Sequence, residues 1–128
     1  MKFQPDKFGA AVTGYGPGWI EVAGQRIQHS LVLHSDGQRQ AWRPNRFEDL
    51  SAADFALLAQ HQPELVLFGS GERLRFPKPA CLRPLIDARI GFETMDTPAA
   101  CRTYNILAGE GRRVLVALLI GPDSPPPG

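Results

Sequence analysis

Three short predicted strands, separated by segments of helical periodicity, dominate the second half of this 128-residue chain. They cover residues 65–68, 92–95 and 114–119, and the first and the last of them are continuous apolar runs. Apolar runs of this length are typical of strands that are covered on both faces of a sheet. Strands and helices that alternate in this order favour a parallel sheet with right-handed crossovers. The pattern therefore predicts an α/β fold with a parallel central sheet.

Local signals also mark the beginnings of three helices. A Ser-x-x-Asp capping box places an N-cap at Ser51 and predicts a helix over residues 51–60. Pro79 suits the first turn of a second helix, and Thr97 followed by Pro98 predicts a third helix with Thr97 as its N-cap. On the second helix three apolar side chains should point inward: Leu82, Leu85 and Ile86.

The first third of the chain has the closely spaced turns of antiparallel strands. A turn-rich stretch, residues 14–18, precedes a short strand over residues 19–22, and residues 27–34 form a longer extended run. Ser-Asp-Gly at residues 35–37 is a hairpin signal, so we expect the chain to return through residues 40–42. The sequence thus predicts an antiparallel meander on one side of the central sheet, with the helices on the other.

Composition limits the class of protein and the kind of partner. An apolar share of 43% and a charged share of 21% are the values of a globular protein, and we expect residues 1–121 to form one domain. Residues 122–128 are proline-rich and have nothing to bury, so we expect a disordered tail. A net charge of +1 lacks the basic excess of a general nucleic-acid-binding protein, so no nucleic acid is expected as a partner.

Cysteines, histidines and apolar runs limit the metal sites and the cell compartment. Cys81 and Cys101 form no CxxC pair and suit thiols in a reducing compartment. His29 and His34 should point to opposite faces of a strand, so we predict no metal site. The apolar run over residues 114–120 is too short to cross a bilayer, and the N-terminus lacks the apolar stretch of a secretory signal. We therefore expect a cytoplasmic protein that does not span a membrane.

The glycines around Ser70 match no complete catalytic or cofactor motif. In a G-x-G-x-x-G alignment Leu74 stands at the third glycine position, and no helix follows at once. The chain contains no Gly-Lys-Ser/Thr phosphate loop, and a nucleophile elbow would need glycine at positions 68 and 72. We therefore predict no catalytic residue and no cofactor, and the sequence favours a protein that is not an enzyme.

A candidate site comes from polar residues at the ends of the predicted parallel strands. Strands over residues 65–68 and 92–95 should end side by side, and ligand crevices form beyond such ends. There a Thr97 N-cap would direct backbone N–H groups toward a bound anion. The alternative is that the polar residues at these strand ends have only a structural role, in which they cap the helix and form hydrogen bonds within the fold. The candidate crevice residues are Gly69, Ser70, Gly71, Asp96, Thr97, Arg102 and Asn105.

Several stretches resemble a known family. They are Phe-Gly-Ser-Gly at residues 68–71, Asp-Thr-x-x-Ala-x-x-x-Tyr-Asn at residues 96–105 and Glu-Gly-Arg-Arg-Val at residues 110–114. They resemble the Mth-type (Mth938-like) domain of unknown function, a family that includes a mitochondrial respiratory complex I assembly factor. The resemblance implies a three-layer β/β/α fold with a parallel central sheet, a smaller antiparallel sheet and no established reaction. The chain has Ser70 where threonine is common in that family, and from its N-terminal residues we expect no mitochondrial targeting extension.

Two functions follow as expectations. The resemblance implies a non-enzymatic protein-interaction or assembly-type factor, with an unknown protein partner that belongs to a membrane complex. The alternative is a small-molecule or anion-binding protein, or an enzyme, that uses the crevice beyond the parallel strands. Formation of a homo-oligomer is a further alternative if the meander leaves a strand edge or an apolar face uncovered.

Overall fold

The computed structural model of the protein describes residues 11–121. Residues 1–10 and 122–128 lie outside the described part, and with them lie the predicted tail and most of the N-terminal stretch. Within the described part, two sheets and three α-helices form the fold. The strands are β1 (Val12–Gly16), β2 (Trp19–Val22), β3 (Gln25–Ile27), β4 (Leu31–His34), β5 (Arg39–Ala41), β6 (Leu65–Gly69), β7 (Gly91–Met95) and β8 (Val114–Leu118). The helices are α1 (Ala52–Ala59), α2 (Pro79–Asp87) and α3 (Thr97–Gly109).

The central sheet has five strands in the order β5-β4-β8-β6-β7. Strands β8, β6 and β7 run parallel, whereas the β4–β5 hairpin joins β8 in the antiparallel direction. Strands β1, β2 and β3 form the smaller antiparallel sheet. The predicted fold class, a layered α/β fold with parallel central strands and a smaller antiparallel sheet, is confirmed. The carboxyl ends of β6, β7 and β8 meet at one edge, where the candidate site lies.

Helix α3 lies on the opposite face of the central sheet from α1 and α2, although all helices were expected on one side. The chain runs outward from β6 to β7 and then back past β6 to β8. Two right-handed crossovers that travel in opposite directions leave their helices on opposite faces. Helix α3 therefore shares a hydrophobic core with the small sheet, and α1 and α2 cover the other face.

The extended run over residues 27–34 proves to be two strands in different sheets. Strand β3 ends at Ile27 and β4 begins at Leu31, so the chain changes sheet between them. Ser30 is fully buried at this crossing, where its Oγ accepts a hydrogen bond from Ile120 N at 3.2 Å. The prediction of one long strand was wrong because a bend between two extended segments leaves no mark in the apolar pattern.

The stretch predicted as a turn, residues 14–18, is mostly strand β1. The turn itself is confined to Pro17 and Gly18, and Gly18 has a φ of 75°. Gly16 lies beneath the indole of Trp19, where a Cβ would come within 2.5 Å of Nε1. This glycine makes room for a cross-strand aromatic side chain, and the sequence prediction mistook it for a turn residue.

Helix α2 forms as predicted, but its buried face is narrower than expected. Leu85 is fully buried and Leu82 is half-buried, whereas Ile86 is 56% exposed. Ile86 lies about 100° around the helix from Leu85, which is the residue that faces the core. The inward position predicted for Ile86 is therefore wrong.

Helix α1 begins at the predicted capping box. Asp54 Oδ2 accepts hydrogen bonds from Ser51 N and Ser51 Oγ, both at 2.9 Å. Arg43 also donates to both carboxylate oxygens, at 2.8 and 2.7 Å. Burial opposes the ionisation of Asp54 most strongly, but the bonds from Arg43 and Ser51 together hold its pKa below 3.8. This charged contact fixes the start of α1 against the segment that follows β5.

Candidate functional site

Thr97 connects the ends of the three parallel strands. Its Oγ1 accepts a hydrogen bond from Gly71 N at 2.9 Å and donates to Leu119 O at 3.1 Å. Its own N donates to Gly71 O at 2.8 Å. Because Thr97 is only 8% exposed, these bonds are made away from solvent. One side chain thus joins the segments that follow β6, β7 and β8.

Gly69 allows this close approach. A Cβ at Gly69 would lie 2.8 Å from Leu118 Cδ2 and 3.1 Å from Thr97 Cα. Distances below 3.0 Å are not tolerated without movement, and the nearby Thr97 Cα belongs to the backbone. The glycine at the end of β6 therefore has a packing role at the crossing with α3.

Ser70 uses its hydroxyl to shape the loop between β6 and α2. Its Oγ donates to Arg73 O at 2.7 Å and accepts from Arg75 N at 3.0 Å, and the residue is fully buried. These bonds fold the chain into a tight loop over residues 70–76. Leu74 and Phe76 project from this loop and are 53% and 69% exposed.

Helix α3 begins with Asp96 as its N-cap, one residue before the predicted cap. Asp96 Oδ1 accepts from Ala99 N at 2.8 Å, and Asp96 O accepts from Ala100 N at 2.9 Å. The predicted cap, Thr97, cannot do this because its hydroxyl is bonded to Gly71 and Leu119. The N–H groups of the first turn are thus bonded within the fold, and Pro98 has none. An anion at this helix end would find no free backbone donor there.

Arg102 and Asn105 hold the small sheet against α3. Arg102 Nη1 donates to Tyr15 Oη at 2.9 Å, and this hydrogen bond raises the pKa of the guanidinium. Asn105 Oδ1 accepts from Val12 N at 2.9 Å, and its Nδ2 donates to Val12 O at 2.7 Å. Asn105 therefore pairs with β1 as a neighbouring strand would.

A cavity of about 670 Å³ lies beside the Thr97 junction. Four segments enclose it: the β1–β2 turn, the start of the β6–α2 loop, the start of α3 and the residues that follow β8. Of the seven residues predicted for the crevice, Gly71 and Thr97 line the cavity and the other five do not. That this cavity is a functional site stays a prediction. The lining residues are Tyr15, Gly16, Pro17, Gly18, Trp19, Gly71, Glu72, Thr97, Pro98, Leu119, Ile120 and Gly121.

The β1–β2 wall of this cavity was absent from the sequence prediction. Tyr15 and Pro17 reach the site because α3 and the small sheet lie on the same face. No local pattern indicates that placement, since it depends on the order of the strands in the central sheet. Glu72 follows the glycine turn directly and could have been included from its position alone.

The histidines and cysteines make contacts that the sequence did not reveal. The rings of His34 and His61 lie 5.6 Å apart, and His34 Nδ1 lies 3.2 Å from Asp36 Oδ1. Within residues 11–121, however, no group of three or more His, Cys, Asp or Glu side chains could hold a metal ion. Both described cysteines are free thiols, and burial raises the pKa of Cys101 to about 12.

Across the part of the chain that the structure describes, no helix has the length and apolar character needed to cross a bilayer.

Comparison with protein families and curated proteins gives matches over most of the chain. The family model for a "Protein of unknown function (DUF498/DUF598)" matches residues 12–119. The protein named NADH dehydrogenase (ubiquinone) 1 alpha subcomplex assembly factor 3 of Bos taurus is 36% identical over 119 residues, which are 91% of this chain. The matched chain spans 61% of the length of that relative. An uncharacterised protein of Rhodobacter capsulatus is 35% identical over 115 residues, 90% of this chain and 88% of its own.

Solved structures show the same fold. A crystal structure of a Bordetella parapertussis protein matches with a TM-score of 0.81 and 43% identity, over 86% of this chain and 94% of that one. A solution NMR structure from Bordetella pertussis, described as a Mth938-like domain, matches with a TM-score of 0.78 and 37% identity. This second match covers 98% of this chain and 96% of the other.

Proposed function

The chain belongs to the DUF498/DUF598 family, as the resemblance to Mth938-like domains implied, and from this premise we propose that it acts by binding a protein partner. The proposed role is that of a non-enzymatic assembly-type factor for a complex at a membrane. It is supported by the relatives named as assembly factor 3 of NADH dehydrogenase, which match over 91% of this chain. Because the chain spans only 61% of those relatives, the partner is proposed from the surface of this domain itself.

The observation on which the proposal rests is the exposed apolar tip of the β6–α2 loop. Phe76 is 69% exposed and Leu74 is 53% exposed, although the Ser70 hydroxyl holds the loop from inside. Arg75 adds a second anchor, since its guanidinium lies 4.8 Å from the ring centre of Phe47. A phenylalanine on an ordered loop can enter a partner's pocket with little loss of conformational freedom.

Charge near this loop indicates the chemistry of the partner. Arg73 and Lys78 flank the two apolar side chains, and both basic residues are exposed. Arg75 Nη1 lies 3.5 Å from Glu48 Oε2, so its charge is already partly balanced. We therefore propose that the partner presents an apolar pocket with an acidic rim, which also gives an association rate that falls with salt.

Affinity capture from the native organism tests this function. Wild-type chain, Phe76→Ser and Ile106→Ser should be tagged at the same terminus and captured with their bound proteins. Ile106 is a matched control because it is 61% exposed, but on α3. The expected result is one recurrent partner that is lost with Phe76→Ser and kept with Ile106→Ser. Failure to recover any recurrent partner, or equal recovery with Phe76→Ser, would refute the proposal.

A second function, binding of a small molecule, is favoured by the cavity beside Thr97. Its volume of about 670 Å³ lies within the range of about 300–1,000 Å³ that is common for small-molecule sites. The open edge above the parallel strands is also the place where ligands bind in α/β folds. A thermal-shift screen against metabolites tests this function, since a ligand at 100 times its Kd adds about 2.7 kcal/mol.

We further propose that residues 1–121 form one domain and that the protein is cytoplasmic. The first proposal is supported by a hydrophobic core that includes both Val12 and Ile120. The second is supported by Cys81 and Cys101, which are free thiols as expected in a reducing compartment. Limited proteolysis that leaves one resistant core, and cell fractionation, test these two proposals.

A further inference from the structure

The apolar walls of the cavity beside Thr97 set the first requirement on a ligand. Leu119 and Ile120 are buried residues that contribute apolar surface, and they are only 3% and 4% exposed. Pro17 and Pro98 contribute rings from the β1–β2 turn and from the start of α3. A ligand that displaces water from these surfaces gains about 25 cal/mol for each Å² of apolar area that is buried. The cavity therefore suits a molecule with an apolar body.

An anionic group would find little to bind in this cavity. The backbone N–H groups of Thr97, Ala99 and Ala100 are all bonded within the fold, and Pro98 has no N–H. The Thr97 hydroxyl is also used twice, toward Gly71 and toward Leu119. The features that usually create an anion site at a helix start are therefore occupied.

Charge at the mouth of the cavity favours the opposite sign. Among the described residues that line it, Glu72 is the only one with a charged side chain, and it is exposed. Two basic side chains outside the lining contact its aromatic residues and are engaged there. Arg102 donates to the Tyr15 hydroxyl and interacts with Asp96, and the Arg26 guanidinium lies 3.9 Å from the ring centre of Trp19. The carboxylate of Glu72 is thus the lining group best placed to meet a charged ligand.

We propose that this cavity binds a small organic cation, an amine with an aromatic or aliphatic body. The body lies among the apolar lining, and the protonated amine faces Glu72. The inference rests on the second proposed function and names its ligand class. It replaces the anion that the sequence pattern suggested.

The test uses three probes that share one body and differ in charge: phenylpropylamine, phenylpropanol and phenylpropionate. Each is titrated into the isotope-labelled full chain while the backbone amides of Gly71, Thr97 and Gly121 are followed by NMR. We expect the amine to bind most tightly, about fivefold more tightly than the alcohol, which corresponds to about 1 kcal/mol for one exposed ion pair. The carboxylate should bind more weakly than the alcohol.

Two variants assign the effect to one side chain. Glu72→Gln should reduce the affinity for the amine to that for the alcohol and leave the alcohol unchanged. Glu110→Gln is the matched control, since this exposed residue caps the far end of α3, about 20 Å from Thr97, and should change nothing.

The outcomes separate the two ideas. Equal affinity for amine and carboxylate, or amine binding that does not respond to Glu72→Gln, overturns the charge inference and leaves ligand binding in place. If none of the three probes gives saturable shifts at the cavity amides, the inference is overturned, and the ligand-binding function is then decided by the metabolite screen. Preference for the amine that depends on Glu72 supports both.

Discussion

Replacing Thr97 with valine should destabilise the protein strongly although the two side chains have nearly the same shape. The substitution removes the hydroxyl that accepts from Gly71 N at 2.9 Å and donates to Leu119 O at 3.1 Å. Both contacts are buried, so water cannot replace them fully. A buried donor left without a partner costs about 1–3 kcal/mol, and the acceptor adds to this. We expect Thr97→Val to lower the free energy of unfolding by about 2–4 kcal/mol.

The assay is urea unfolding followed by circular dichroism. The midpoint should fall while the dependence on urea stays unchanged, which indicates an altered stability rather than an altered unfolded state. Thr97→Ser keeps the hydroxyl and loses only a methyl group, so it should cost about 1 kcal/mol. Thr103→Val is a second control, because the Thr103 hydroxyl makes no hydrogen bond to any residue from 11 to 121, and a small effect, within about 0.5 kcal/mol, is expected. If Thr97→Val costs no more than Thr97→Ser, the hydroxyl does not join the three strand ends as argued.

Three further predictions follow from packing, charge and burial. Gly69→Ala should cost about 1–3 kcal/mol because its Cβ would lie 3.1 Å from the backbone Cα of Thr97 as well as 2.8 Å from a leucine methyl group, whereas Gly109→Ala, with nothing within 4 Å, should be neutral or stabilising in urea unfolding. Asp54→Asn should differ most from wild type at neutral pH and less as the pH falls below 3.8, because a carboxylate with a lowered pKa stabilises the fold only while it is ionised. Urea midpoints across the acid range test this, and a constant difference would contradict it. Iodoacetamide near pH 8 should label Cys81 before Cys101 in the native protein, because burial raises the pKa of Cys101 to about 12; peptide mass spectrometry shows the order.

The elements that were predicted correctly are those whose signals lie close together in sequence. The capping box at Ser51, the proline at the start of α2 and the apolar runs of β6 and β8 each occupy only a few residues. The position of α3 was missed because it depends on the order β8-β6-β7, which no local pattern contains. Once that order is known, the handedness of the crossovers fixes the face on which α3 lies.

The candidate site shows the same division between local and distant information. The sequence placed Gly71 and Thr97 together because both follow parallel strands, and their N···Oγ1 distance is 2.9 Å. It could not show that Asn105 bonds to Val12, since the two residues are 93 positions apart. Nor could it show that Asp96, rather than Thr97, caps α3, because the competing partner Leu119 lies on another strand end.

The hydroxyls of Ser70 and Thr97 make separate sets of contacts, although Ser70 is the direct neighbour of Gly71, whose N–H donates to Thr97. The Ser70 hydroxyl bonds to Arg73 and Arg75 of its own loop, whereas the Thr97 hydroxyl bonds to Gly71 and Leu119, which line the cavity. Ser70→Ala should therefore loosen the loop that presents Phe76 and weaken partner capture. Because Glu72 lies on the same loop and lines the cavity, the affinity for phenylpropylamine should also fall toward that for phenylpropanol. Amide exchange at Arg75 should become faster in this variant, since its N–H loses its acceptor. If Ser70→Ala left partner capture and the exchange at Arg75 as they are in the wild type, the Ser70 hydroxyl would not shape the loop as argued.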